Sequence, residues 1–258
     1  MKKYTAIILV IASTDISRIE EEHKPHYPIL KQAFESYIHT NPNIKTFFVY
    51  GSNTDFEPQS HDLVYDYIPE SHGLGMLAKT LEAIDYINKN YNYDFLIRTN
   101  LSQFWIFDNL VERLNKLPKT KCLTGTLKKL PYPYIAGYDI HLTRDLTEIL
   151  LDYKNEILEI GKSTQYEDQV MCNTLKKYTT DLVDLRLIYN GLDLNSTFPI
   201  TAPFADSPFE LPDSLLHIPP FIDHIRFKLK NRNNEKILVQ QLIKKFYNID
   251  FIPKYPAV

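Results

Sequence analysis

Glycine and cysteine are both scarce in this chain. Only 7 of its 258 residues are glycine, and neither G-x-G-x-x-G nor G-x-x-x-x-G-K-[ST] occurs, so a glycine-rich phosphate loop is not expected. The 2 cysteines, Cys122 and Cys172, are too few for a disulfide framework or a cysteine-based zinc site. A reducing compartment is the default for such a composition, and we therefore expect a cytoplasmic protein.

The chain also lacks a charge excess and a long apolar run. It has 29 Lys and Arg against 32 Asp and Glu, a net charge of −3, which creates no strong field toward nucleic acid or an anionic membrane. No run approaches the ~20 apolar residues that span a bilayer. The run AIILVIA at 6–12 follows two lysines, as in a signal peptide, but is short and runs into Ser13 without a small-x-small cleavage site. We interpret it as a buried strand, and expect no transmembrane segment and no nucleic-acid partner.

Strand-like and helix-like segments alternate as far as about residue 190. TAIILVIAS, KTFFVYG and the apolar part of YDFLIRTN are typical of buried strands, whereas HYPILKQAFESYIH and GMLAKTLEAIDYINKNY place their apolar residues on one helical face. This alternation predicts an α/β fold with a mostly parallel central sheet and helices on both faces. Ligands of such sheets bind at the carboxyl ends of the strands.

The character of the sequence changes near Asn195. The segment STFPITAPFADSPFELPDSLLHIPP holds six of the 16 prolines and is expected to be extended. We predict a core domain over residues 1–195, and at 196–258 a Pro-rich segment and a C-terminal helix that pack on the core. The Pro-rich segment either crosses the surface or faces the substrate. In FIDHIRFKLK, His224, Arg226 and Lys228 share one side of an alternating pattern.

Polar residues follow several predicted strands. Ser13, Thr14 and Asp15 come after the first one. Another predicted strand ends in the stretch IRTNLS, which carries Arg98, Asn100 and Ser102 but no carboxylate. Asn100 and Ser102 either contact a ligand or use their local hydrogen bonds to form a turn.

Four segments in a fixed order resemble the fringe-like and β-1,3-galactosyltransferase-like glycosyltransferases, which have the GT-A fold. Proteins of large DNA viruses also look similar. The match covers roughly residues 74–175. The matching residues are Lys79-Thr80-Leu81 in a helix, Arg98-Thr99 and Phe104 around the polar strand end, Gly137-Tyr138 with Leu142-Thr143-Arg144-Asp145-Leu146, and Glu167-Asp168.

The resemblance implies an inverting glycosyltransferase that uses a nucleotide-diphosphate sugar, most often UDP-linked, and a glycan or other hydroxyl acceptor. In that family a Glu-Asp element carries the catalytic base, which here falls on Glu167 and Asp168. Adjacent residues at a helix start point about 100° apart, so only one of them can face the site, and we expect it to be Asp168. The alternative is that both carboxylates only favour the helix dipole.

The departure from the family lies at the polar strand end. There the family's Asp-x-Asp holds a divalent metal, whereas this chain has Asn100-Leu101-Ser102. Amide and hydroxyl oxygens are poor ligands for a hard cation, so we predict no obligatory metal, with Mn²⁺ or Mg²⁺ as the alternative. Positive charge for the leaving diphosphate would then come from Lys79, Arg98 and the alternating triplet His224, Arg226 and Lys228. The alternative is that Lys79 is an exposed helix residue and the triplet is a solvated strand face.

Two other interpretations stay open at this stage. The missing carboxylates favour a pseudo-glycosyltransferase that binds a nucleotide sugar without catalysis, and the retained Glu167-Asp168 argues against it. A retaining transferase or a nucleotidyltransferase on a similar sheet is a further possibility, although the absence of a glycine-rich phosphate loop disfavours the nucleotidyltransferase.

Overall fold

The structure, a computed structural model, describes residues 2–13, 26–52, 56–71, 73–128, 134–164, 166–178, 191–193, 222–226 and 233–254. Within these ranges the chain forms nine strands and seven helices. The strands are β1 (Lys3–Ile11), β2 (Ile44–Tyr50), β3 (Asp62–Val64), β4 (Asn92–Asn100), β5 (Gln103–Trp105), β6 (Leu123–Lys128), β7 (Tyr134–Thr143), β8 (Gly191–Asp193) and β9 (His224–Arg226). The helices are α1 (His26–Glu35), α2 (Leu74–Asn90), α3 (Phe107–Asn115), α4 (Arg144–Asp152), α5 (Lys154–Gly161), α6 (Glu167–Tyr178) and α7 (Asn233–Tyr247).

The described residues fall into two compact units. The first contains a six-stranded sheet with the strand order β3-β2-β1-β4-β7-β6, together with α2, α4, α5 and α6. The second contains a three-stranded sheet with the order β5-β9-β8, together with α1, α7 and most of α3.

The large sheet is mostly parallel. β1 pairs in parallel with β2 on one side and with β4 on the other, and β3 pairs in parallel with β2. The antiparallel strands β7 and β6 complete the sheet beyond β4. The topology is that of a Rossmann-like α/β fold, which confirms the predicted fold class.

The apolar runs of the sequence explain why these strands are central. Residues 6–10 of β1 are completely buried, so residues on both faces of this strand are shielded from water, as expected for a strand inside a parallel sheet. The side that carries Ile7 and Leu9 packs with Leu77, Leu81 and Ile84 of α2 in one apolar cluster. The run AIILVIA is therefore a core strand, as predicted.

The order of the strands creates a reversal next to β1. From β1 the chain adds β2 and β3 on one side, and then returns through α2 to place β4 on the other side. The carboxyl ends of β1 and β4 lie side by side, with the Cα of Ile11 paired with that of Asn100. In open α/β sheets, ligands bind at the carboxyl ends of strands at such a reversal.

The second unit is held together by aromatic side chains. Tyr37, which follows α1, stacks on Tyr247 of α7 with ring centroids 4.9 Å apart. The hydroxyl of Tyr247 donates to the Trp105 carbonyl at the end of β5 and accepts from the Phe107 N–H at the start of α3. One side chain of α7 therefore fixes the junction between β5 and α3.

Two predictions about the C-terminal part fall on undescribed residues. The domain boundary predicted at residue 195 and the Pro-rich segment at 196–220 lie outside the described residues. The predicted closing helix is present as α7, which contacts α1. None of the helices that the structure describes is long and apolar enough to cross a membrane.

Candidate functional site

The polar ends of β1 and β4 lie at the reversal of the sheet. Ser13 follows β1 after a single residue, and Asn100 is the last residue of β4. Both residues are partly buried. The structure therefore places these two predicted ligand contacts at the same edge of the sheet, where a ligand is expected to bind.

Lys79 lies beside these strand ends and is almost completely buried, with 1% of its surface exposed. Its Nζ donates to the Ala12 carbonyl just beyond β1 at 2.7 Å, and to Oε1 and Oε2 of Glu70 at 2.9 and 2.7 Å. Burial lowers the pKa of Lys79, the Glu70 carboxylate opposes this shift, and the charge of Arg98 adds to it. A diphosphate could reach this ammonium group only if the ion pair opened.

Glu70 was not among the predicted site residues. Besides pairing with Lys79, its Oε1 accepts the N–H of Gly51 at 2.6 Å, directly after β2. A Cβ at Gly51 would lie 2.6 Å from the Ile68 carbonyl and 3.1 Å from Glu70 Oε1, so this position has no room for a side chain. The pair of Glu70 and Lys79 therefore joins the chain just beyond β1 to the chain just beyond β2.

Arg98, near the end of β4, forms a second buried ion pair. Its Nη2 donates to Glu167 Oε1 at 2.8 Å, and its Nη1 donates to the Gly137 carbonyl on β7. The side chains of Arg98 and Glu167 are only 5% and 10% exposed. Like Lys79, Arg98 is thus already neutralised by a carboxylate.

Asp168 is the more exposed of the two adjacent carboxylates at the start of α6. Its Oδ2 accepts the N–H of Gly137 at 2.9 Å, and its Oδ1 accepts the N–H of Gln169 at 2.9 Å. Burial raises the pKa of Asp168, and Glu167 adds to the increase, whereas the Gly137 N–H and the Arg98 charge oppose it. Because a base works best when its pKa approaches the working pH, this direction suits proton transfer.

Gly137 links Arg98 to Asp168. The carbonyl of this residue accepts from Arg98, and its N–H donates to Asp168. A Cβ at this position would clash with the Arg98 guanidinium and would lie 3.2 Å from the Asp168 Cβ. The Gly-Tyr motif of the sequence therefore has a physical reason here, since only glycine lets both side chains approach the backbone.

The remaining predicted residues are placed as follows. Thr14 and Asp15 lie outside the described residues, and so does Lys228. Ser102 is in the turn that joins β4 to β5. His224 and Arg226 belong to β9 in the second unit, where His224 is 2% exposed, lies 2.7 Å from Asp223 through its Nδ1 and packs on the Trp105 ring at 4.8 Å. The side chain of His224 is therefore part of a buried contact rather than a solvated face.

A second buried polar cluster lies between β6 and β7. Asp139 lies 2.6 Å from His141 Nε2 through its Oδ1, and accepts from the Thr126 hydroxyl at 2.7 Å through its Oδ2. Asp139 and His141 are completely buried. Such a hydrogen-bonded network stabilises the pairing of β6 with β7.

The donor set at the end of β4 can be compared with the needs of a divalent metal. Asn100 and Ser102 offer one amide oxygen and one hydroxyl oxygen, without a formal negative charge. Mn²⁺ and Mg²⁺ sites in nucleotide-dependent enzymes normally include carboxylates. These two residues therefore do not fit the metal of the Asp-x-Asp motif.

Comparison with known sequences assigns no family to the chain. No protein-family model matches it, and a search of curated proteins found no match.

Proposed function

We propose that this protein is an inverting glycosyltransferase that transfers a sugar from a nucleotide-diphosphate sugar, with a UDP-sugar as the expected donor, to a hydroxyl group of a glycan or another acceptor. Asp168 is the catalytic base of the proposed reaction. The resemblance of residues 74–175 to the fringe-like and β-1,3-galactosyltransferase-like enzymes supports this choice over other functions of a Rossmann-like sheet, which hosts many activities.

The observation that carries the proposal is the position of the Asp168 carboxylate. Gly137, which holds it, lies just beyond the residue pair Thr99 and Asp139 of β4 and β7, at the carboxyl end of β4. That is the edge at which Ser13 follows β1 and β4 ends at Asn100. A partly exposed carboxylate with a raised pKa at this edge is a suitable proton acceptor.

The proposed step is a single displacement. The acceptor hydroxyl oxygen attacks the anomeric carbon of the donor sugar and forms the new glycosidic bond. The bond between the anomeric carbon and the diphosphate oxygen breaks, and its electron pair leaves with the nucleoside diphosphate. The hydroxyl proton passes to Asp168. Because attack and departure occur on opposite faces, the anomeric configuration inverts.

We further propose that no divalent metal is obligatory, since Asn100 and Ser102 do not fit one. In this proposal Ser13 and Asn100 contact the donor from the strand ends, and Thr14, Asp15, Ser102, His224 and Arg226 stay predicted contacts. A role of Lys79 and Arg98 in direct diphosphate binding would require their ion pairs with Glu70 and Glu167 to open.

A non-catalytic nucleotide-sugar-binding protein is the second candidate. Charge balance favours it: Lys79 is paired with Glu70 and Arg98 with Glu167, so neither pair carries net positive charge toward a leaving diphosphate. A transferase needs such charge in the transition state, whereas a binding protein needs less of it.

A donor panel separates the two candidates. Wild-type protein is incubated with UDP-hexoses and UDP-N-acetylhexosamines, with and without excess chelator, and release of UDP and donor binding are measured. The proposal expects UDP release that persists in chelator, and inverted configuration in any transferred product. Binding without UDP release from any donor would favour the non-catalytic candidate. Loss of activity in chelator would contradict the metal-free part, and a retained configuration would contradict inversion.

The cellular setting belongs to the proposal as well. Cys122 and Cys172 are both buried free thiols, and burial raises the pKa of Cys172 to about 12. Two unreactive reduced thiols are in keeping with the cytoplasm, where we place the protein.

A further inference from the structure

The contacts around Gly137 form a continuous chain from the guanidinium of Arg98 to the carboxylate of Asp168. Arg98 donates to the Gly137 carbonyl, and the N–H of the same residue donates to Asp168 Oδ2 at 2.9 Å. On its other side the guanidinium is held by Glu167 Oε1 at 2.8 Å. Glu167 and Asp168 are neighbours in the first turn of α6. Arg98 therefore contacts the first of them directly and the second through Gly137.

We propose that Arg98 is the positioning residue for the Asp168 carboxylate, acting through Gly137, and that Glu167 controls how strongly the charge of Arg98 acts on Asp168. Arg98 thus serves the base rather than the diphosphate. Glu167, which the sequence placed beside Asp168 as a catalytic residue, becomes a second positioning residue. Only the catalytic consequence of this arrangement rests on the proposed function, because the contacts exist whatever the reaction.

Geometry limits the alternatives for Arg98. Its side chain is 5% exposed, its Nη1 and Nη2 each have a protein acceptor, and the absence of a side chain at Gly137 is what lets the guanidinium reach the backbone. An arginine that donates to a carbonyl through one nitrogen and to a carboxylate through the other fixes the orientation of both acceptor groups. The same contact that fixes Gly137 therefore fixes the donor to Asp168.

The charged groups near Asp168 act on it in opposite directions. The Glu167 charge raises the pKa of Asp168, and the Arg98 charge lowers it. Burial is the main cause of the raised pKa of Cys172, one turn further along α6; the Asp168 charge adds to it, and the charges of Lys176 and Arg98 oppose it. Burial also lowers the pKa of Lys79 of α2, and the Arg98 charge adds to that decrease. Glu167 also neutralises Arg98 by direct contact, so removing it both deletes a repulsive charge and frees an attractive one.

The test is a pH titration of the Asp168 carboxyl carbon by NMR in protein labelled with ¹³C-aspartate. The Asp168 resonance is identified by its absence from Asp168→Asn. We expect Glu167→Gln to lower the pKa of Asp168 by on the order of one unit, because the Arg98 charge then acts without a compensating carboxylate. In the double variant Arg98→Met/Glu167→Gln, which contains no unpaired buried charge, the pKa should rise again above that of Glu167→Gln alone.

Arg144 and Glu148 provide a matched control on α4. They form an ion pair at 3.1 Å, so Glu148→Gln and Arg144→Met/Glu148→Gln make the same changes of charge away from Gly137. These variants should leave the Asp168 titration unchanged. The inference is overturned if Glu167→Gln moves the Asp168 pKa no more than Glu148→Gln does, or if adding Arg98→Met to Glu167→Gln fails to raise that pKa again.

The titration does not depend on turnover, so the two proposals fail separately. If the protein releases no UDP from any donor but shows the lowered Asp168 pKa in Glu167→Gln and its recovery in the double variant, the positioning role stands and the transferase activity is refuted. If the protein releases UDP but the Asp168 pKa does not change in the variants, the transferase activity stands and the positioning role of Arg98 is refuted.

Discussion

Lys79 and Arg98 were both predicted to bring positive charge to a diphosphate, yet each meets a carboxylate instead. Lys79 Nζ lies 2.7 Å from Glu70 Oε2, and Arg98 Nη2 lies 2.8 Å from Glu167 Oε1. A buried charge without a partner is costly, so a basic residue that the fold buries normally pairs with an acidic one. The same two side chains therefore hold strand ends together at the edge where the ligand is expected.

The Lys79 pair makes a prediction about stability. Lys79→Met should lower the free energy of unfolding by ~3–5 kcal/mol, because Glu70, whose side chain is 6% exposed, loses its partner and stays buried. The double variant Lys79→Met/Glu70→Gln should recover part of that loss. Urea unfolding followed by circular dichroism measures both changes.

Lys154 offers the control for this experiment. Its Nζ lies 2.7 Å from Glu82 Oε1, the same distance as in the Lys79 pair, but the two side chains are 28% and 23% exposed. Lys154→Met should therefore cost at most about 1 kcal/mol. If Lys79→Met cost no more than Lys154→Met, the claim that the Lys79 pair fastens β1 to β2 would be wrong.

Some residues of the candidate site could be predicted from the sequence, and others could not. Arg98 and Asp168 stood in motifs, and the structure places them close to each other through Gly137. Glu70 stood in no motif, because its role depends on Gly51, 19 residues earlier, and on Lys79, 9 residues later. A carboxylate just ahead of a helix that carries a buried lysine is the local signal that would have pointed to it.

At the scale of elements, the stretch YDFLIRTNLSQFW divides between two sheets. The first part, β4, ends at Asn100, and a turn of Leu101 and Ser102 follows. The last part, β5, belongs to the three-stranded sheet, where it pairs with β9. Periodicity suggested one strand with a polar end, and could not show that Gln103–Trp105 pairs with residues more than a hundred positions later. Long-range strand pairing is not encoded in a local pattern.

The β5–α3 junction in the second unit gives a prediction for Tyr247. Its hydroxyl donates to the Trp105 carbonyl at 2.7 Å and accepts from the Phe107 N–H at 3.0 Å. Burial raises the pKa of Tyr247 above the ordinary range of a tyrosine. Tyr247→Phe removes the partner of both backbone groups and should cost about 1–3 kcal/mol in unfolding free energy. Tyr166→Phe, at a tyrosine that is 60% exposed, should change it by less than about 0.5 kcal/mol. Equal effects of the two substitutions would refute the bridging role of Tyr247.

For the whole molecule, the alternation of apolar runs and amphipathic helices was enough to predict a mostly parallel α/β sheet. It was not enough to predict the strand order β3-β2-β1-β4-β7-β6, which follows from pairing partners and from the return of the chain beside β1. Because of the reversal between β1 and β4, the polar segment after Ile11 and the polar segment at Asn100 lie side by side at one edge of the sheet. Ser13 and Asn100 were predicted as polar residues at strand ends and Asp168 from a motif, and the sheet topology explains why the two strand ends lie at one edge.

The buried ion pairs also change which groups of the protein are expected to bind a diphosphate. The required positive charge was predicted to come from Lys79, Arg98 and the triplet His224, Arg226 and Lys228. In the structure the first two are compensated, and His224 lies 2.7 Å from Asp223. Donor affinity should consequently depend more on neutral hydrogen bonds from the strand ends than on charge.

The most direct test of the central claim compares Asp168→Asn with Asp145→Asn, using the UDP-sugar that releases UDP fastest in the panel. Asp145 is a suitable control because it also lies in the first turn of a helix and accepts a backbone N–H, that of Lys121 at 2.8 Å. We predict that Asp168→Asn lowers kcat by roughly 10²–10⁴-fold with donor Kd nearly unchanged, and that Asp145→Asn leaves both unchanged. Wild-type turnover in Asp168→Asn would contradict the assignment of Asp168 as the base.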